Sequence, residues 1–160
     1  METFRTGAIG ALLDEYEKAI KELQYILNDI TTSELTTIVD SKTNDPDCKS
    51  IQAVLSHVIS AGLNYVNEIR RSLGEDIEFS TAELLTTSRA YQEALKIMFQ
   101  YNVNLFETYP SLKIEELDNQ KKILVRWKQL YDTEQLFEHA IVHILRHRRQ
   151  VERFLITLRS

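Results

Sequence analysis

The chain has 160 residues, 43% of them hydrophobic, and a formal net charge of −5. That length supports one domain with a substantial core and leaves little room for a second. The acidic balance disfavours general nucleic-acid binding, which needs concentrated positive charge, and four glycines, two prolines and no internal repeat announce neither a linker nor a disordered tail.

The opening stretch, METFRTGAIGALLDEYEKAIKEL, meets acids after only a few apolar residues, unlike a secretory signal or a membrane span, so a cytoplasmic protein is expected. Apolar residues then recur at steps of three and four (Leu12, Tyr16, Ile20, Leu23, Leu27), which predicts a helix over about residues 7–29. The Thr- and Asp-rich connection that follows contains Pro46 and has room for one short turn around 33–39. Its single cysteine, Cys48, excludes an intrachain disulfide framework and a thiolate metal cluster. Its place ahead of a helix N-terminus permits a lowered pKa, but a lone cysteine is ordinarily inert.

A second helix begins at the N-cap Ser50, carries Ile51, Val54, Val58, Tyr65 and Ile69 on one face, and ends at Gly74. His57 belongs to it. A third is expected from the capping-box pattern Ser80–Glu83 to about Thr108, with a break conceivable near 86–88. Aromatic residues at 99–109 fall at helical spacing and read as core. Residues 111–131 change character: two short β-permissive runs flank DNQK, which suggests a small hairpin or an irregular flap. The last helix opens at Asp132, with Gln135 in the capping-box position, and runs to about Leu158. Four long amphipathic helices in one domain over 1–160 predict an all-α four-helix bundle.

The last helix holds His139, His143 and His147 at intervals of four. At 100° per residue, His143 and His147 share the apolar stripe of Leu136, Ala140, Val151 and Phe154, whereas His139 and Gln150 lie on its rim. Two inward imidazoles one turn apart are costly unless their nitrogens are satisfied, and a metal ion satisfies both at once. Two ligands are too few for a stable site. His57 sits among Ala53, Val54 and Val58 and supplies the third; taken alone it reads as a core or boundary histidine, and its coincidence with the HxxxH pair favours a ligand. A zincin motif is excluded because Ile144 stands where the glutamate belongs, and a di-iron site fails because Glu-x-x-His is absent at every histidine.

The segments SIQAVLSHV (50–58) and HILRHRRQ (143–150), together with YDTEQLFEH ahead of the second, resemble the DinB/YfiT-like family of metal-binding proteins. The resemblance covers essentially the whole chain. It implies a four-helix bundle with long crossover connections, metal ligands at His57, His143 and His147, and a divalent metal ion, Zn or Ni foremost, with Fe or Mn also within range. It further implies either a hydrolase or a low-molecular-weight thiol S-transferase acting on a small molecule, and makes a homodimer a candidate assembly. Arg149 replaces the glycine frequent in the family's late motif.

His139, Gln150 and a tyrosine such as Tyr65 are candidates to orient the ligands from behind. The alternative to an enzyme is a stress-associated binding or dimerisation module whose metal is structural or adventitious. The arginines at 146, 148, 149, 153 and 159 read as a solvated face complementing the helix dipole, or else as a site for an anionic ligand or partner. A nucleic-acid contact through RHRRQVER is disfavoured by the acidic remainder of the chain.

Overall fold

A computed structural model describes residues 4–160. The fold is all-α apart from one two-stranded hairpin. Its long helices are α1 (Gly7–Leu27), α3 (Ile51–Ser72), α4 (Ser88–Thr108) and α5 (Thr133–Arg159); α2 (Thr32–Thr36) is a single turn held by a reciprocal Thr31–Glu34 capping box. A 3-10 turn spans Pro46–Cys48. The hairpin pairs β1 (Ile123–Leu124) with β2 (Leu130–Tyr131).

Each long helix packs against two others, closing a ring in the order α1, α5, α3, α4. The apolar stripes of the sequence face inward: Tyr16, Leu23, Ile51, Leu95, Met98 and Phe137 are among the side chains lost to solvent. Side-chain pairs fix the directions. Ser56 meets Tyr91, Asn67 meets Tyr101 and Arg70 meets Asn104, so α3 and α4 run parallel. Tyr65 packs on His139 and His57 on His147, so α3 and α5 run antiparallel. Gly62 permits the close approach of α3 and α4, because a Cβ there would overlap Met98 Sδ and sit 3.1 Å from Tyr16 Oη.

Two parallel neighbours require a crossover, and residues 75–87 provide it. The expected helix start at Ser80 is overturned: α4 begins eight residues later, capped by the Thr87 side chain on the Ala90 N–H at 3.1 Å. The polar side chains of α3 explain why. Asn64 accepts from the Ser80 N–H and donates to its carbonyl, both at 2.8 Å; Ser56 donates to Glu83 O at 2.6 Å and Gln52 to Leu85 O at 2.8 Å. These groups compete for the backbone that a first helical turn would have used, and they draw 80–85 out along α3.

Gly74 ends α3 with φ of +92°, and the Glu75 and Gly74 N–H groups return to the carbonyls of Arg70 and Arg71, closing the helix end. Between α4 and α5 the flap is a short hairpin, and it is fastened to α3 by charge. Glu68, fully buried, pairs with Arg71 and accepts from Arg126 N and Nε at 3.1 and 3.0 Å. No helix among the described residues is long and apolar enough to cross a membrane.

Candidate metal centre

The three histidines expected to act together do meet. His57 from α3 and His143 and His147 from α5 each present a nitrogen, all within 4.8 Å of one another. The Nε2 atoms converge: His143 Nε2 lies 3.0 Å from that of His57 and 3.2 Å from that of His147. With metal–nitrogen bonds of about 2.05 Å, these separations subtend angles of about 94° and 103°, between octahedral and tetrahedral values. The donor set therefore suits a small divalent cation.

The opposite edges of the rings decide where the protons are. Asp47 Oδ2 lies 3.2 Å from His57 Nδ1, and a carboxylate can only accept, so Nδ1 of the neutral ring carries the hydrogen. Gln150 Oε1 lies 2.9 Å from His147 Nδ1 and fixes that ring in the same way. Both Nε2 atoms then point lone pairs at His143 Nε2, which has at most one proton to share between them. A cation resolves this crowding of acceptors and a single hydrogen does not.

Burial favours the neutral form of two of the three rings. His143 and His147 are each 5% exposed. Desolvation, reinforced by the neighbouring His147 and His57, pushes His143 down to about 2. Desolvation also lowers His147, partly offset by its bond to Gln150. Neutral imidazole is the form that binds metal, so burial favours the ligating state of His143 and His147.

Other expectations divide. Gln150 stands behind His147. His139 lies on the rim, stacked on His143 at 6.3 Å and 3.4 Å from the Tyr131 hydroxyl, and makes no hydrogen bond to the triad. Tyr65 meets the His143 ring edge to face at 5.7 Å, so it packs the ligand without hydrogen-bonding it. Asp47 was missed by sequence reasoning. Its signal was available in NDPDC: the Asp45 side chain accepts from the Asp47 N–H and, with Pro46, sets the turn that aims Asp47 at the helix beside it. Cys48 next to it has its thiol pKa raised by burial, with Gln150 pulling the other way, so the lowered pKa allowed by its position does not occur. Arg149 is exposed.

Two of the other late arginines tie separate elements together. Arg148 pairs with Glu22 on α1, and Arg159 binds Glu34 at 2.6 Å and the Asp29 carbonyl at 2.9 Å. An open cleft of about 790 Å³ lies between α5 and the hairpin and reaches His143. No protein-family model matches the chain, and no curated protein matches it.

Proposed function

We propose that the protein is a divalent-metal-dependent enzyme of the DinB/YfiT-like type, a hydrolase or a low-molecular-weight thiol S-transferase, with its metal on His57, His143 and His147. The convergence of three Nε2 atoms, two of them on rings turned by Asp47 and Gln150, carries this reading. Zn or Ni suits the all-nitrogen donor set best, and Fe or Mn fits less well. His57, His143 and His147 would hold such a cation, which would supply a lowered pKa to a water or thiol reaching it. The protein's own part is to hold His143 and His147 neutral, fix the tautomers of His57 and His147 and leave one side accessible through the cleft at His143.

A closed structural site would call for a fourth protein ligand, whereas the group found among the described residues has three members. This favours the enzyme over the binding module. The experiment is elemental analysis of protein purified without a histidine tag and dialysed against buffer. About one equivalent of divalent metal is expected in the native chain and a small fraction of that in His57→Ala, with helical content unchanged. Equal metal in the two proteins would rule the triad out.

A further inference from the structure

The cleft has a distinct chemical character. Glu138, His139, Val142, His143 and Arg146 lie three, four, seven, eight and eleven residues after Gln135, so the six form one face of α5. The facing wall is the hairpin segment from Lys128 to Tyr131, where Lys128 takes a left-handed φ of 68° as the turn closes. Arg146 is the only one of the five late arginines that lines the cleft, and it has no carboxylate partner among the described residues.

A larger groove between α1 and α5, about 1380 Å³, gives the contrast. Three of its four cations are already neutralised locally, Arg5 by Asp14 and Glu17, Lys21 by Glu17 and Arg148 by Glu22, and with Lys18 as the fourth they face five acids in the lining. In the triad cleft two cations, Arg146 and Lys128, face one acid, Glu138, and none of the three is in an ion pair among the described residues. One net positive charge suits a monoanion better than a phosphate dianion. A guanidinium offers the planar fork that a carboxylate matches. Beside it, half-exposed Leu130 and Val142 offer apolar surface on the way to His143.

We propose that this cleft receives a small carboxylate-bearing ligand, its carboxylate on Arg146, its short apolar stem against Leu130 and Val142, and its other end at the triad. This rests on the metal-centre reading above. Arg146 is thus a specificity residue.

The test uses the full chain loaded with cobalt(II) as probe metal and titrated with three thiols of nearly equal length: 3-mercaptopropionate, 2-mercaptoethanol and cysteamine. Binding is read from the sulfur-to-cobalt charge-transfer band. The anionic thiol is expected to bind at least about tenfold tighter than the neutral one, the scale of one charge-assisted hydrogen bond. Arg146→Gln should erase that preference, Arg146→Lys should keep part of it, and neither should alter cobalt stoichiometry or affinity for 2-mercaptoethanol. Equal affinities, a preference that survives Arg146→Gln, or cobalt uptake with no thiol binding would each overturn the inference and leave the metal centre standing. Failure to take up cobalt would remove the metal centre, and this inference with it.

Discussion

Replacing Asp47 by alanine is the sharpest probe of the proposed metal centre, because it leaves all three histidines in place. The carboxylate is 45% exposed, and its side chain makes one contact of consequence, the 3.2 Å bond to His57 Nδ1. Losing it should cost the folded, metal-free protein little. It frees the His57 ring to turn and to change tautomer, and loss of such an orienting partner typically weakens metal binding about 10–100-fold. At a free metal concentration of about 100 Kd the native chain gains about 2.7 kcal/mol from binding; at the same concentration a tenfold weaker variant gains about 1.4 and a hundredfold weaker one about 0.4 kcal/mol. For a domain of this size 1 kcal/mol moves Tm by about 2–4 °C, so a metal-induced rise of about 5–10 °C should shrink to about 1–5 °C. Scanning calorimetry with and without metal, alongside chelator competition for Kd, measures both quantities. Asp47→Asn, which keeps an acceptor oxygen, should fall between the two. An unchanged Kd, or a Tm loss as large without metal as with it, would refute the argument that Asp47 acts by orienting His57.

Three further outcomes follow from the packing. The folded pKa of His143 is depressed to about 2 against about 6.5 unfolded, so the unfolded chain binds the extra proton as pH falls. Stability of the metal-free protein is therefore full above about pH 6.5 and lost below it, by about 2 kcal/mol between pH 7.5 and 5.0, and urea melts of His143→Gln should show a flatter pH dependence. Gly62→Val should destabilise by about 1–3 kcal/mol, despite valine's better helix propensity, because its side chain enters space held by Met98 and Tyr16; chemical denaturation reads the sign. Glu68→Gln should release the hairpin from α3, seen as faster amide exchange over 123–131 and a shift in Trp127 fluorescence while helical content holds.

Much of the architecture was legible because helical periodicity is a local property. The N-caps at Ser50 and Asp132, the glycine stop at Gly74 and the inward faces of His143 and His147 follow from spacing and side-chain chemistry within a few residues. The start of α4 was not legible. Ser80–Glu83 is a valid capping signal that loses to Gln52, Ser56 and Asn64, which come from a different helix and take the same backbone groups. Local propensity is decisive only where no distant donor or acceptor competes for the chain.

The candidate site divides in the same way. The sequence by itself determined which residue types can bind metal and that two of them share a helical face, since an interval of four places them one turn apart. Only the tertiary structure brought His57 to them across 86 positions, turned its ring with Asp47 and put Arg146 beside an open approach to His143. Those outcomes depend on the antiparallel register of α3 against α5 and on a hairpin fastened by the buried Glu68, which are contacts between elements far apart in the chain.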